Sequence, residues 1–538
     1  MKKIGVNLRS LVSAVLLLAL IAVVILLVAM KSTDGRLIYC LDDTYIHMSI
    51  AKNVIDHSVW GVTQYGFSSS SSSIIWPILM VLGYLVTGVN EWMPFFLCCV
   101  CAVILTMITV RYLSRYYTNP LSQFGTAILV LIMMCVPTLI FSGMEHILHA
   151  LLSLAFVERS VNLLTRKESG RRDRAVIVLL SILLTSTRFE GVFLVLVVAS
   201  LFLLKRHSRD SFLILCAGFF PIAAFAVFSV SNGSNLLPNS LLLKGHSPSI
   251  STTKGVLKLV GGLVVKRLFY ARYLTVLLVM SVLLVWRHIK VHGLVLNERI
   301  APAVIFIPVL LLHLEFAGLH AFYRYDSYLI MLGLVAIFIA ATEFLRTIDF
   351  TKLKIPGLLS RISLVTFVLL LFYPLVSRSV FALQQTPKAS QNIFEQQYQM
   401  AHFLGLYFEG KTVAANDIGA INFFSDIRCV DLMGLADDEV TSARLNGRFS
   451  PTFVDSLTGS RMVDIAILYD KWFVPTGGLP SNWRKLGEWK VDNSVVLGSD
   501  RVSFYAVDPY SADGLAASLS DYSTRLPSGV TQIGISPK

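Results

Sequence analysis

Residues 11–30 run for twenty positions with Ser13 as the one polar side chain and no charge. About 20 such residues are what an α-helix needs to cross the ~30 Å hydrocarbon core of a bilayer. Lipid offers the backbone no hydrogen bonds, so a chain built from such segments folds as helices there. Apolar runs continue to residue 382, and the last 156 of the 538 residues read as soluble. The overall content, 55% hydrophobic against 15% charged, fits the same class. The expected fold is therefore a polytopic α-helical membrane protein, residues 1–382, followed by a C-terminal soluble α/β domain, residues 383–538.

Charge decides the threading. The formal net charge is +13, but from residue 383 onward 13 Lys/Arg face 17 Asp/Glu, so the excess of positive charge belongs to the membrane part. Short loops hold much of it, which is a topology signal rather than a nucleic-acid footprint. Lys2, Lys3 and Arg9 hold the start of the first helix in the cytosol. The segment 74–89 is apolar enough to cross. If it crosses, the basic loop 165–174 falls outside. If it rests at the outer surface, that loop and the other basic short loops fall inside.

The surface reading gives crossings near 11–30, 93–111, 123–141, 146–164, 175–187, 191–204, 211–230, 273–286, 301–316, 327–345 and 362–382. Inside segments then carry 19 Lys/Arg over 67 residues, and outside segments before the tail carry 11 over about 120. Eleven crossings put the C-terminal domain outside the cytosol. No small-residue cleavage site follows the first helix, so it reads as uncleaved.

The first external loop, 31–92, opens with Cys40-Leu41-Asp42-Asp43-Thr44-Tyr45-Ile46-His47. Ile46, Ile50, Val54 and Ile55 mark one helical face, and Asp42, Tyr45, Ser49, Lys52 and Asp56 another, which predicts an amphipathic helix on the membrane surface. Asp42 has the makings of a helix cap, and Asp43 of a first-turn acid. Ser68 to Ser73 follow.

Ionisable groups near membrane depth mark cavities by default. Here Glu145 and His146, Arg188 and Glu190, Asn239 with Lys244 beyond, and Arg324, Tyr325 and Asp326 all fall on the side of Asp42 and Asp43. For each, an interfacial anchor or a local ion pair is the plainer reading. Together they describe an outward-facing polar cavity roofed by the C-terminal domain. His47, one turn after Asp43, is placed with it, although a surface histidine is the commoner case. The loop 231–272 holds Lys244, Lys254, Lys258, Lys266, Arg267 and Arg272 with no acid, and suits anionic lipid head groups.

A cavity that faces away from cytosolic nucleotides must take its donor through the membrane. Sugar transfer from a polyprenyl phosphate fits: the leaving group needs cations, which Lys244, Arg188 or Arg324 supply, and the acceptor hydroxyl needs a carboxylate. The tail reads as a strand then a turn over 413–419 and as strands at 462–469 and 502–507, with no phosphate loop. Trp472, Trp483 and Trp489 suit either a sugar surface or a core. Five cysteines lie in apolar segments, and Cys40 and Cys429 fall on the same outer side, far apart in the chain. No metal spacing is present, although the acids would accept a divalent cation.

Asp42-Asp43-Thr44-Tyr45-Ile46 and the serine-rich stretch ending in Ile74-Ile75-Trp76 resemble the first external loop of GT-C glycosyltransferases. Ser142-Gly143-Met144-Glu145, Thr187-Arg188-Phe189-Glu190-Gly191, Leu237-Pro238-Asn239-Ser240, Phe322-Tyr323-Arg324-Tyr325-Asp326, Asn416-Asp417-Ile418-Gly419-Ala420 and Val430-Asp431-Leu432-Met433-Gly434-Leu435 are similar to bacterial terminal arabinofuranosyltransferase-like proteins. Phe189 stands where that group shows proline. The resemblance implies an inverting transferase at the outer face of the bacterial cytoplasmic membrane. It implies a polyprenyl-phosphate sugar donor, arabinofuranose among the candidates, and an envelope glycan, lipid or protein acceptor. It also implies catalytic Asp42 and Asp43; Tyr45, His47, Glu145, Glu190, Asn239, Tyr325 and Asp326 are placed about the substrate by their position on the same side of the membrane. A lipid-linked-sugar transporter is the rival, and it predicts ionisable groups at the bilayer midplane. A receptor or scaffold would leave both aspartates dispensable.

Overall fold

The computed structural model describes residues 7–165, 170–244, 265–319, 321–347 and 357–534. Helix α1 (Leu8–Lys31) starts on Asn7, whose side chain accepts the Arg9 N–H. Its buried stripe is small and regularly spaced, Ser10, Ala14, Leu18, Ala22, Ile25 and Ala29. The other face exposes Leu16, Leu20, Val23, Val24, Leu27 and Val28. Water would not tolerate that ridge, and lipid does.

In the first loop lie α2 (Asp43–His57) and α3 (Ile75–Thr87). The bundle continues through α4 (Trp92–Leu113), α5 (Pro120–Met133), α6 (Val136–Ser142), α7 (His146–Thr165), α8 (Arg171–Thr187) and α9 (Gly191–Leu204). It closes with α10 (Ser208–Ser231), the short α11 (Asn239–Lys244), α12 (Arg272–His292), α13 (Ala301–Phe316), α14 (Ser327–Thr347) and α15 (Gly357–Ile393). All eleven stretches expected to cross are helical. By length and composition, five helices among the described residues can cross a membrane (α1, α4, α7, α10 and α12), or six with α5 and α6 taken as one span bent by 42°. The bend falls at Cys135, which sits in the left-handed region at φ 65°. At 1.5 Å per residue α3 spans about 20 Å, short of the ~30 Å core.

Helix α2 departs from the sequence reading. Every residue from Thr44 to Ala51 is buried, because α2 is clamped between α3 and the C-terminal domain rather than laid on lipid. Several of its polar side chains bond to protein. Tyr45 accepts the Tyr39 N–H at 3.1 Å and packs on Phe423 and Phe424. Asn53 donates to the Gly61 and Val62 carbonyls at 2.9 Å each.

Residue 383 falls inside α15, which runs through a wider π-helical turn at Phe394–Tyr398 into α16 (Gln399–Tyr407). The domain beyond holds β1 (Thr412–Ala415), α17 (Ala420–Phe424), β2 (Arg428–Asp431), α18 (Asp438–Leu445), α19 (Pro451–Ser460), β3 (Ile465–Leu468), β4 (Arg484–Val491), β5 (Arg501–Ala506), α20 (Ala512–Tyr522) and β6 (Val530–Ile533). The sheet order is β2-β1-β3-β5-β4-β6, with β1 parallel to β2 and β3 and the remaining pairs antiparallel. Strands β1 and β3 are apolar on both faces because helices cover both. Trp489 and Phe504 fill one side, and Trp483 with Phe473 the other. These tryptophans are core; Trp472, half-buried, touches both clusters. Cys40 and Cys429 are free thiols and form no bridge.

Candidate functional site

A cavity of about 370 Å³ opens between α2, the serine loop, α9, α10, α13 and the turn before α14. Asp43, His47, Arg188, Glu190, Arg324 and Tyr325 line its polar end. Phe189, Val192, Phe193, Ile222, Leu241 and Phe316 form an apolar wall. Leu435, from the C-terminal domain, completes the lining.

The polar end is built on Tyr325. The Arg188 and Arg324 guanidinium groups each lie 5.2 Å from its ring centroid. His146 stacks on the same ring at 6.0 Å. Arg188 sits in the break between α8 and α9, where its backbone is extended. It donates to Glu145 at 2.6 Å and grips Glu190 with Nε and Nη2 at 3.1 and 2.7 Å. Glu145 is fully buried at the turn that starts α7, and Ser72 donates to it at 3.3 Å. His47 Nε2 lies 3.5 Å from the same carboxylate, while its Nδ1 shares a hydrogen bond with Ser71 at 3.1 Å. Burial holds the His47 imidazole below its usual range, with Glu145 opposing.

Arg324 reaches across to α2. Its Nη2 donates to Asp43 at 2.7 Å, its Nε to the Ala321 carbonyl at 2.8 Å, and its Nη1 points at the Met144 sulfur. Ala321, Phe322 and Tyr323 all have positive φ, 34°, 55° and 66°. Three successive non-glycine residues in that region are costly. The turn is held by Arg378, which donates to the Tyr323 carbonyl at 3.0 Å and to Asp326 at 2.5 Å.

The adjacent aspartates separate here. Asp43 faces the cavity. Asp42 faces the C-terminal domain, where its two oxygens accept the Gly419 and Ala420 N–H groups at 2.8 Å each. It caps α17 from another part of the chain, a use of the helix N-terminus that favours a carboxylate. A Cβ at residue 419 would lie 2.1 Å from the Asp42 carbonyl oxygen, which accounts for glycine in Asn416-Asp417-Ile418-Gly419. Burial first, and then the neighbouring Asp417, push the Asp42 carboxyl up to about 8, against the two amide bonds. Burial raises Asp417 as well, although Tyr469 and Gln397 donate to it at 2.5 and 2.8 Å.

Of the other expected cavity residues, Tyr45 lies at the domain seam, away from the lining. Asn239 donates to Asp438 at the start of α18, at 2.7 Å, and also belongs to the seam. Asp326 is fully buried, paired with Arg378 and bonded by the Tyr273 hydroxyl. Lys244 ends α11, and its side chain lies outside the described residues, as do Lys254 and Lys258 of the basic loop. Arg267 of that loop turns inward onto the Ala317 carbonyl at 2.6 Å.

Ser70, Ser72, Met144 and Leu435 were not singled out. The serines had a signal in the run from Ser68 to Ser73. Leu435 had one in the turn after Asp431. That carboxylate accepts the Met433 and Ala436 N–H groups at 2.7 and 2.8 Å and burial pushes it up to about 6. The turn it ties carries Leu435 to the cavity.

A model of a domain of unknown function, DUF8728, matches residues 391–505. No curated protein matches. The crystal structure of ArnT from Cupriavidus metallidurans bound to undecaprenyl phosphate superposes with a TM-score of 0.51 at 15% identity, covering 92% of this chain and 98% of that one. The apo ArnT structure gives 0.50 at 14% identity with the same coverage. Archaeal oligosaccharyltransferase AglB from Archaeoglobus fulgidus, in complex with an inhibitory peptide and a dolichol-phosphate, gives 0.46 at 11% identity, covering 92% and 74%. The likeness to ArnT is one of fold.

Proposed function

From a chain with the GT-C fold, we propose a membrane glycosyltransferase that moves a sugar from a polyprenyl phosphate to an envelope acceptor at the outer face of the cytoplasmic membrane. The observation that carries the reading is one cavity with two chemistries. Its apolar wall suits the first isoprene units of a lipid, and its far end holds arginines beside a carboxylate. The ArnT structure bound to undecaprenyl phosphate, similar in fold, supports the donor class.

In this reading Arg324 is the principal phosphate partner. Arg188 is already gripped on three sides by Glu145 and Glu190, so it fixes the polar wall and lends its charge. Arg324 holds Asp43 through one hydrogen bond at 2.7 Å. A lipid phosphate arriving there competes with Asp43 for that guanidinium, so donor binding releases the carboxylate toward the acceptor. The acceptor oxygen then attacks the anomeric carbon from the face opposite the phosphate. Its proton passes to Asp43, the carbon–oxygen bond to phosphate breaks, and the polyprenyl phosphate leaves with the electron pair. The configuration inverts. General-base help of this kind is worth about 10²–10⁴-fold.

The sugar is set by what fits between Asp43, Ser70, Ser72 and Leu435. Arabinofuranose is the first candidate, on the sequence resemblance. The test is purified protein in lipid, supplied with radiolabelled arabinofuranosyl and hexosyl polyprenyl phosphates and a crude envelope glycan. Label moving from lipid to glycan, with Asp43→Asn inactive but still binding donor, is the expected result. Donor carried across a vesicle membrane with no transfer would instead establish the transporter.

A further inference from the structure

We infer that His288 and His292 of α12, with Glu343 of α14, form a binding site for a divalent transition-metal ion of the zinc class, at the opposite end of these helices from the cavity. The two histidines are one turn apart, so both rings leave the same face of α12. Their ligand atoms and a Glu343 oxygen all lie within 4.8 Å of one another. Zinc with ligands at about 2.0–2.2 Å brings its donors within about 3.5 Å of each other, so small side-chain rotations close the set.

The second observation concerns protons. His288 Nε2 lies 2.7 Å from the Val295 carbonyl oxygen, which only accepts, so that nitrogen carries the hydrogen. This is the arrangement by which an outer partner orients a metal-ligating imidazole. In the neutral ring that leaves Nδ1 as a lone pair. His288 is only 7% exposed, and its Nδ1 has no hydrogen-bond partner. It faces Glu343 Oε1 at 3.4 Å, and His292 Nε2 approaches the same oxygen at 2.9 Å. In the neutral ring a buried imidazole lone pair set against a carboxylate is two acceptors facing each other. A proton or a metal ion between them resolves that, and a metal ion engages all three side chains at once.

The adjoining cavity is about 20 Å³, room for one water-sized species. Three protein donors leave a fourth position open, and half-exposed His292 gives an entry path. Arg287 lines the same cavity and has a partner of its own. Its charge works against a cation, so Arg287→Gln should tighten binding. Helix α14 begins beside Arg324 and Tyr325, and α12 begins beside Tyr273, which bonds Asp326. The pair is thus tied at the cavity end by that bond and at the far end, about 25 Å away along the helix, by the metal.

The experiment uses full-length protein in detergent, purified without a histidine tag and stripped with chelator. Zinc is titrated by calorimetry, metal content is measured after dialysis, and thermal melting is followed with and without the ion. The expected result is one zinc per chain, a raised melting temperature, and at least tenfold weaker binding in His292→Ala and in Glu343→Gln. The exposed His292 can be replaced without disturbing the core, so the test does not depend on His288→Ala folding. Magnesium, which prefers oxygen ligands, should not substitute. No zinc bound by the wild type would overturn the inference and leave a His–Glu ion pair. Zinc retained equally in both variants would also overturn it, placing the ion elsewhere.

Discussion

The cavity and the domain seam share one helix, α2, yet they are held together by different forces. The cavity is a cluster of buried charges in which each arginine is matched to carboxylates and stacked on Tyr325. The seam is closed by aromatic packing of Tyr45 on Phe423 and Phe424, by backbone amides pointing at Asp42, and by amide side chains such as Asn239. Asp42 and Asp43 are adjacent in the chain, and the start of α2 turns one into each region. A cluster of matched charges can exchange one partner for an incoming anion. A capped helix against packed rings cannot, and so it fixes the roof over the charges below.

The largest effect should come from unbalancing the cavity. Arg188→Ala leaves Glu145 and Glu190 without their cation, and breaking a buried pair this way costs about 3–5 kcal/mol. Thermal melting in detergent should fall well below that of Arg188→Lys, which keeps the charge. Equal melting of the two would mean that geometry, rather than charge balance, holds the cavity.

The seam should break sterically. Gly419→Ala forces a Cβ onto the Asp42 carbonyl oxygen, at 2.1 Å in the native backbone. Overpacking typically costs about 1–3 kcal/mol. Limited proteolysis should then cut the C-terminal domain faster while the bundle stays intact. Gly459→Ala, in α19 with nothing within 4 Å of its Cβ, is the control and should be neutral or slightly stabilising.

A graded effect separates the acids by pH. The docked Asp42 carboxyl is raised to about 8, above its ordinary range near 3.9 when undocked. The docked state therefore binds more protons. Its contribution to docking is fully present below about pH 3.9 and fades as pH rises through about 8, by at most about 1.4 kcal/mol per unit. Proteolysis of the seam should accelerate between about pH 4 and 8, and Asp42→Asn should flatten that dependence. A protected seam at pH 9 would contradict the account.

Much of this was legible in the chain. The hydrophobic runs located the helices, because a bilayer demands them wherever apolar length suffices. The clustering of Glu145, Arg188, Glu190, Arg324 and Tyr325 was visible as charge where membrane depth penalises it. Asp42 and Tyr45 were misplaced for one reason. An amphipathic pattern shows that a face is polar, but the pattern cannot tell water from a second domain that supplies amides and rings. Asn239 and Asp326 were placed with the cavity by their side of the membrane, while their partners Asp438 and Arg378 come from distant parts of the chain. Leu435 lies in a domain read as a roof, and only folding brings one of its side chains into the lining.

The central claim is the division of labour between Asp43 and Asp42, and one comparison tests it most directly. Sugar transfer and donor binding are measured together in wild type, Asp43→Asn and Asp42→Asn. The account predicts that Asp43→Asn binds donor at least as well as wild type, since Arg324 is freed, yet transfers about 10²–10⁴-fold more slowly. Asp42→Asn should keep most of its turnover at pH 7 and show a looser seam instead. Transfer abolished in Asp42→Asn with its seam intact, while Asp43→Asn stays active, would contradict the account.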